Sequence, residues 1–441
     1  MASRRPGSLL LPAKHPARRY ILRFGGDRRK LPSCSPQRTT HHGPRTQRPC
    51  VIYHTAYQTA HQRRPISISA LQHLPGWLVP PTVFLGLLAT LWLYKALVTV
   101  IFQEKIIYMP YMPPFTRSER VEDYAGVCKP VWWREVEVRG RDGVRVWICV
   151  GKVQNGGKEG EGDVGVDGAD GREDMAGKED GKGKKVVICY FHGNGGSLPP
   201  RLPMLSNVLK AVVAQQSTLS PDAKVDFTLA ALSYRGYWTS SGKPTQPGIE
   251  LDAQALLQWV NDNYTTTPSA ADTATDTIAE TNNTQLILWG QSIGAGVAST
   301  AAAAYAHSTT SSPDRIPLTG LVLETPFASI KSMLLTIYPQ TWLPYRYLWP
   351  FLRSHWDSDV ALRRLSQITE KPAVLLLPAS KDEIVPAGEA EKLEAVCREL
   401  GLEVERRDVK GALHVEATTR REGREAVAGF VVRVVNAGGK G

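Results

Sequence analysis

The sequence is poor in cysteine and, over its first 76 residues, in acids. Six of the 441 residues are Cys, and no two have CxxC spacing, which argues against a disulfide scaffold and against a zinc or redox site built from such pairs. Residues 1–76 contain one acid, Asp27, against fourteen Lys and Arg, a charge of +13 in a chain of net +11. The rest of the chain therefore carries −2. A positive charge confined to one arm argues against nucleic acid as a partner.

A long apolar run follows this arm. Residues 81–102 contain Lys95 as their one charged residue, and 22 helical residues extend about 33 Å, enough to cross a hydrocarbon core of about 30 Å. The Lys95 side chain can snorkel to the interface, or the span can shift to Trp77–Tyr94 so that the lysine marks its end. We predict a single transmembrane helix over residues 77–105. The alternative is a buried core helix, although few soluble helices are apolar on every face.

The arm itself, residues 1–76, is predicted to be disordered or a targeting segment. An Arg-, Ser- and Pro-rich composition fits a mitochondrial targeting arm or a cytosolic tail before a signal anchor. In both cases the positive-inside rule predicts that the chain after Tyr108 lies across the membrane from the arm. Sequons at Asn263 and Asn282 are usable only in a secretory lumen. We therefore favour the endoplasmic reticulum or another endomembrane, with the mitochondrial inner membrane as the alternative.

The remaining chain predicts one domain over residues 106–435 and a flexible tail over 436–441. Two Gly-rich or polar segments, at about 154–184 and 265–284, have too little apolar surface to order themselves and are predicted to be disordered insertions. Alternating runs around a Gly-containing turn predict an antiparallel hairpin at Trp132–Val150. Short apolar strands then alternate with amphipathic helices, as in "KVVICYF" followed by "LPMLSNVLKAVVAQQ". This alternation predicts a mostly parallel sheet with helices on both faces.

The pentapeptide Gly290–Gly294, GQSIG, has the form GxSxG. It lies between an apolar strand and an Ala-rich helix, where a tight strand-to-helix turn presents a serine at the edge of the sheet and small flanking residues avoid clashes. Ser292 is therefore the predicted nucleophile. The alternative is a structural serine that caps a helix.

A serine nucleophile needs a base, and the base needs a third group to fix its tautomer and orientation. Asp382 directly follows the strand-like run "AVLLLPASK", and His414 follows "LEVERRDV" and a Lys-Gly turn. The chain order Ser, Asp, His is that of the α/β-hydrolase arrangement. Glu383 competes with Asp382 as the acid, and His192 competes with His414 as the base.

The stretch "FHGNGGS", residues 191–197, predicts donors for the negative charge that develops on an attacked carbonyl oxygen. The backbone N–H of Ile293 is one candidate. The second should come from the glycine-rich turn, and Asn194 is the candidate there. His192 is then a residue that shapes the loop; the alternative is a surface histidine in a flexible turn.

Six motifs in order, "FHGNGGS", "YRGYWTSSGKPTQPGIELDAQA", "GQSIGAG", "LETPFAS", "ASKDEIVP" and "GALH", resemble the membrane-anchored α/β-hydrolase-domain proteins of fungi and animals. The resemblance covers about residues 106–435. It implies an α/β-hydrolase fold and a serine hydrolase with Ser292 as nucleophile, Asp382 as acid and His414 as base. Members of that group cleave lysophospholipids, monoacylglycerols or palmitoyl thioesters on proteins, so the implied partners are a lipid or acylated-protein substrate and a membrane.

The aromatic segment Ile337–Trp356, hereafter the lid segment, falls after the sixth predicted strand, where this fold carries its lid, and suits an acyl-chain pocket or the membrane interface as well as ordinary packing. Arg235 either orders the active-site face or forms a structural salt bridge. No metal or organic cofactor is implied. The rival functions are a serine peptidase on the same fold and a non-catalytic membrane adaptor.

Overall fold

The computed structural model describes residues 75–154, 183–265, 283–309 and 315–437. The predicted arm and the two predicted insertions lie almost wholly outside these ranges, as do residues 438–441 of the predicted tail, whereas its residues 436 and 437 end the last helix. The described strands that follow the insertions begin at Lys184 and Thr284, the last residues of the two predicted segments.

The described chain is built around an eight-stranded sheet in the order β1-β2-β4-β3-β5-β6-β7-β8. Its strands are Val131–Arg139 (β1), Arg145–Val153 (β2), Lys184–Phe191 (β3), Val225–Ser233 (β4), Thr284–Gln291 (β5), Leu318–Glu324 (β6), Ala373–Leu377 (β7) and Val404–Arg406 (β8). Strand β2 runs antiparallel to both β1 and β4, and all other neighbours are parallel. The predicted hairpin and the predicted mostly parallel sheet are therefore confirmed.

Helices cover both faces of the sheet because the central strands are apolar on both sides. In β3, Val187, Cys189 and Phe191 join one buried cluster, whereas the alternate residues Val186 and Ile188 join the other. The first cluster lies under four helices and the second under two long helices and one helical turn. In chain order the helices are Val79–Tyr108 (α1), Ala125–Cys128 (α2), Leu202–Leu219 (α3), Gln246–Tyr264 (α4), Ile293–Thr309 (α5), Ile330–Ile337 (α6), Ser358–Leu365 (α7), Gly388–Glu399 (α8) and Arg421–Ala437 (α9). Helices α4, α5, α7 and α8 cover the first face, and α2, α3 and α9 cover the second.

Helix α1 and the short helical turn before it together span Gly76–Tyr108. By its length and composition, this helical segment could cross a membrane. The structure describes one such helix within the ranges given above. It continues three residues past the predicted end at 105 because its last turns pack on the domain, where Gln103 and Tyr108 are buried. Met109, in the left-handed region at φ 42°, ends it and donates its N–H to the Lys105 carbonyl oxygen.

Strand β8 is shorter than the sequence suggests. The run "LEVERRDV" predicts a strand over about 402–409, but only Val404–Arg406 pairs continuously with β7. The partner strand ends before Pro378, which has no N–H to donate to the ladder, and beyond it Ala379 and Val409 form an isolated parallel bridge. Val409 still donates its N–H to the Pro378 carbonyl oxygen. This strand leads the chain to the loop that carries His414.

Candidate active site

Ser292 occupies the tight turn between β5 and α5. Its φ of 55° lies in the left-handed region, which is costly for a residue with a side chain and is found at functional turns. Its N–H donates to the Glu324 carbonyl oxygen at 2.8 Å, which ties the turn to the end of β6. The Ser292 hydroxyl thus stands at the carboxyl edge of the parallel strands.

The two glycines of the pentapeptide are required by close backbone contacts. A Cβ atom on Gly290 would lie 2.0 Å from the Gly294 carbonyl oxygen. A Cβ atom on Gly294 would lie 2.1 Å from the Phe191 carbonyl oxygen at the end of β3. Because backbone oxygens cannot move aside as a flexible side chain can, the GxSxG pattern follows from the packing of this turn between two strands.

The structure brings Ser292, His414 and Asp382 into one chain of contacts. His414 Nε2 lies 2.8 Å from Ser292 Oγ, and His414 Nδ1 lies 2.8 and 2.9 Å from the two carboxylate oxygens of Asp382. Asp382 Oδ1 also accepts the N–H groups of Ile384 and Val385, at 2.9 and 2.7 Å, so its own loop orients the carboxylate. All three triad side chains are buried. The arrangement can accept a proton from the serine and hold the imidazole in one tautomer.

The two adjacent acids, Asp382 and Glu383, have different partners. Asp382 contacts the imidazole, whereas Glu383 Oε2 accepts the backbone N–H of His414 at 3.0 Å. Glu383 therefore accepts a hydrogen bond from the backbone of the histidine loop, and Asp382 contacts the imidazole ring. The structure favours Asp382 as the group that orients His414.

Ile293 and Asn194 carry backbone N–H groups with no hydrogen-bond acceptor among the described residues. Ile293 begins α5 directly after Ser292, and Asn194 lies in the turn after β3. The Asn194 side chain donates instead to the Ile107 carbonyl oxygen at 3.3 Å. A Cβ atom on Gly193 would lie 3.5 Å from Ser292 Cβ, so the glycine turn approaches the serine closely.

His192 is a buried core residue, so the alternative reading of a surface histidine in a flexible turn is wrong. Its ring is packed 4.2 Å from the Tyr234 ring and 4.9 Å from the Tyr237 ring. Nδ1 lies 2.6 Å from the Gly193 carbonyl oxygen, which makes Nδ1 the protonated nitrogen. Burial lowers the pKa of His192 to about 3. A ring that stays neutral beneath the loop suits the shaping role and not that of a base near neutral pH.

A buried carboxylate network that the sequence did not predict lies under the serine turn. Glu324, fully buried at the end of β6, accepts hydrogen bonds from the side chains of Trp289 (3.0 Å), Gln291 (3.3 Å) and Thr418 (2.7 Å). Burial raises the pKa of Glu324. Through these contacts it joins β5 to the segment that follows His414. The signal in the sequence was a single acid that ends an otherwise apolar strand.

Arg235 forms a structural salt bridge, the second of the two readings offered by the sequence. Its guanidinium donates to Asp252 at 2.8 Å and to Asp142 at 2.7 Å. Asp252 is fully buried, and a Cβ atom on Gly248 would lie 2.5 Å from Arg235 Cδ, so the ion pair is closely packed. Arg235 thus ties the turn after β4 to helix α4.

Comparison with known proteins agrees with the fold. Residues 186–381 match the family described as the α/β-hydrolase fold. The chain has the α/β-hydrolase fold. The predicted fold class is therefore confirmed, and the lid segment follows β6 as predicted.

Curated relatives of this hydrolase domain include fungal and animal proteins. It is 28% identical over 213 residues to protein bem46 of Schizosaccharomyces pombe, covering 48% of this chain and 56% of that protein. It is 30% identical over 220 residues to protein ABHD12B of Homo sapiens, covering 48% and 50%. It is 27% identical over 213 residues to lysophosphatidylserine lipase ABHD12 of Danio rerio, covering 47% and 46%. The matches span about half the length of these relatives.

Proposed function

We propose that this protein is a serine hydrolase that cleaves acyl esters or thioesters and is anchored in a membrane by α1. The observation that carries the proposal is the contact chain from Ser292 Oγ through the His414 imidazole to the Asp382 carboxylate. A relative named as a lysophosphatidylserine lipase supports a lipid ester as substrate. An S-acylated protein is the second substrate class that this chemistry accommodates.

The reaction follows from the positions of the groups. His414 Nε2 removes the hydroxyl proton as Ser292 Oγ attacks the acyl carbonyl carbon, and the N–H groups of Ile293 and Asn194 receive the charge on the carbonyl oxygen. The imidazolium, held by Asp382, then protonates the departing alkoxide oxygen or thiolate sulfur as its bond to the carbonyl carbon breaks. Water, deprotonated by His414, attacks the resulting acyl-serine, and the bond from the acyl carbon to Ser292 Oγ breaks as His414 returns the proton to Oγ. The products are a free fatty acid, the alcohol or thiol, and the regenerated serine.

Hydrolysis of a substrate panel tests this function. The full chain, reconstituted in phosphatidylcholine vesicles, is offered a lysophospholipid, a monoacylglycerol, a palmitoyl-thioester peptide and an unmodified peptide. We expect cleavage of an ester or thioester, and a loss on the order of 10⁴–10⁶-fold in Ser292→Ala. Ser299→Ala is the matched control, because Ser299 is buried on α5, the helix that follows Ser292, and its hydroxyl donates to the Ala295 carbonyl oxygen.

Two outcomes of the panel would contradict the proposal. Cleavage of the peptide alone would indicate a peptidase. No hydrolysis of any substrate, with a binding partner lost on deletion of residues 155–184, would indicate an adaptor.

The same proposal includes an orientation for the anchor. The basic arm stays on the cytosolic side, or on the matrix side in mitochondria. The hydrolase domain then lies across the membrane, in an endomembrane lumen or in the mitochondrial intermembrane space. Protease treatment of sealed vesicles should leave the domain intact and remove an N-terminal tag. A glycosidase-sensitive shift on a gel would support the lumen, and protection of the tag would contradict the orientation.

A further inference from the structure

Helix α1 is longer than a bilayer requires, and its surplus packs on the hydrolase domain. Its 30 residues extend about 45 Å, whereas about 20 residues cross the hydrocarbon core. The residues before Lys95 are apolar and exposed, while Gln103 and Tyr108 are buried against the domain. A lysine is favoured at the membrane interface and disfavoured in the core. The hydrocarbon therefore ends near Lys95, and the last turns of α1 stand outside it.

The lid segment runs along α1 from these last turns back toward the membrane. Gln103 fixes the near end, because its side chain donates to the Phe351 carbonyl oxygen at 3.0 Å and accepts the Arg353 N–H at 2.7 Å. Trp92 fixes the far end, since its indole N–H donates to the Trp342 carbonyl oxygen at 3.0 Å. Eleven helical residues separate the two contacts, or about 16 Å along the axis. Trp342 is thereby held at a level of α1 deeper than Lys95.

The side chains of this segment suit lipid better than water or a protein partner. Trp342 is 72% exposed and Phe351 60% exposed, next to the exposed apolar surface of α1. Residues 337–352 include no acid. The Lys331 ammonium lies 3.8 Å from the Trp349 ring centroid. Aromatic rings beside a cation are the composition of a membrane interface, where the cation meets lipid phosphate.

We propose that the Trp342 end of the lid segment is embedded in the leaflet from which α1 emerges near Lys95, so that a lipid substrate reaches Ser292 from the bilayer and not from water. This inference rests on the proposed membrane anchor and acyl hydrolase. The lipid bilayer would cover the exposed side chain of Trp342, because this side chain continues the apolar surface of α1, the helix that would cross the bilayer.

Tyr108 connects the embedded segment to the active site. Its hydroxyl lies 2.8 Å from Ser354 Oγ and accepts the Trp356 indole N–H at 3.1 Å, at the base of the lid segment. Its carbonyl oxygen accepts the N–H of Gly195 at 3.0 Å, directly after Asn194 in the glycine turn. The last residue of α1 thus contacts both the lid base and the turn that faces Ser292.

Spin-label accessibility tests the embedding in the full chain. A nitroxide is attached to Trp342→Cys in a background where Cys34 and Cys50 are replaced by Ser; the four described cysteines are buried. The protein is reconstituted in vesicles of phosphatidylcholine and phosphatidylglycerol. We expect this label to be relaxed by oxygen, which partitions into lipid, more than by a water-soluble nickel chelate.

Two reference positions make the result decisive. Leu91→Cys lies on the exposed apolar part of α1 and should report lipid. Leu219→Cys is exposed at the end of α3, before β4 begins, at the sheet edge opposite Ser292, and should report water. A nickel-accessible label at 342 with a lipid-exposed label at 91 would overturn the embedding alone. A water-exposed label at 91 would overturn the anchor as well, and a label at 342 shielded from both reagents would indicate a second protein copy and also overturn the embedding.

Kinetics separate substrate entry from catalysis. In Trp342→Ser, hydrolysis of a long-chain ester in vesicles should fall about tenfold or more, since removing one lipid-buried aromatic side chain costs at least about 1.5 kcal/mol. Hydrolysis of a water-soluble short-chain ester should stay at the wild-type rate, and Trp342→Phe should retain most of the vesicle activity. An equal loss on both substrates, or no loss on either, would overturn the inference. Absence of soluble-ester hydrolysis in the wild type would instead count against the proposed function.

Discussion

Acidification should destabilise the folded protein through His192, the buried histidine beneath the glycine turn. Burial lowers the pKa of His192 to about 3, against an ordinary value of about 6.5. Above about pH 6.5 the ring is neutral in both the folded and the unfolded state. As the pH falls below that value, the unfolded chain binds a proton that the folded protein does not, and stability is lost down to the folded pKa. At about 1.4 kcal/mol for each pH unit, the loss from this ring reaches about 2 kcal/mol at about pH 5.

The variant His192→Asn isolates this contribution. The amide N–H of an asparagine can replace the Nδ1 donor that faces the Gly193 carbonyl oxygen, yet the amide does not titrate. Denaturant unfolding in detergent is followed by tryptophan fluorescence at about pH 7.5 and about pH 5. Other groups, Glu324 among them, titrate in both proteins, so the difference between wild type and variant reports His192. We expect the wild type to lose about 2 kcal/mol more than the variant over this interval.

The control for this experiment is His307→Asn, which changes an exposed histidine at the end of α5. It should keep the acid dependence of the wild type. Equal pH dependence in the wild type and in His192→Asn would refute the reasoning.

Three substitutions test other parts of the fold. Gly294→Ala should cost at least about 1–3 kcal/mol or prevent folding, because its Cβ would lie 2.1 Å from the Phe191 carbonyl oxygen; thermal unfolding measures the loss. Asp252→Ala should cost about 3–5 kcal/mol in denaturant unfolding, because it leaves the buried guanidinium of Arg235 with only its half-exposed partner. Glu324→Gln should cost about 1–3 kcal/mol, because one of the donors around it then faces an N–H group; thermal unfolding with hydrolysis assays would detect it.

Matched controls come from the same chain. Gly388 begins helix α8, and a Cβ atom there would meet nothing within 4 Å. Gly388→Ala should therefore have the thermal unfolding midpoint of the wild type. Asp226→Ala removes the partly exposed partner of Lys152 and should cost less than about 1 kcal/mol. Losses in these controls as large as those in Gly294→Ala and Asp252→Ala would contradict the packing and burial arguments.

The sequence was sufficient for the sheet and for the three residues of the triad because each carries a strong local signal. Ser292 lies in a turn whose glycines are dictated by contacts of about 2 Å, and Asp382 follows a continuous apolar strand. The parallel strands then bring their carboxyl ends to one edge of the sheet. The structure brings Ser292, Asp382 and His414 together there, and their catalytic roles stay predictions.

The features that the sequence did not reveal depend on contacts between distant segments. Two tyrosines beyond β4 bury His192, although its glycine neighbours suggested an exposed turn. Glu324 is satisfied by donors from β5 and from the segment after His414. The contact of Trp92 with the lid segment joins residues 250 positions apart. No local periodicity encodes such contacts, whereas helix and strand patterns are local.

Covalent labelling of the purified full chain with a serine-directed fluorophosphonate, followed by mass spectrometry of its peptides, tests the central claim most directly. The account predicts one adduct on Ser292, which disappears in Ser292→Ala and forms far more slowly in His414→Ala. Labelling that persists in Ser292→Ala, or an adduct on a different residue, would contradict it.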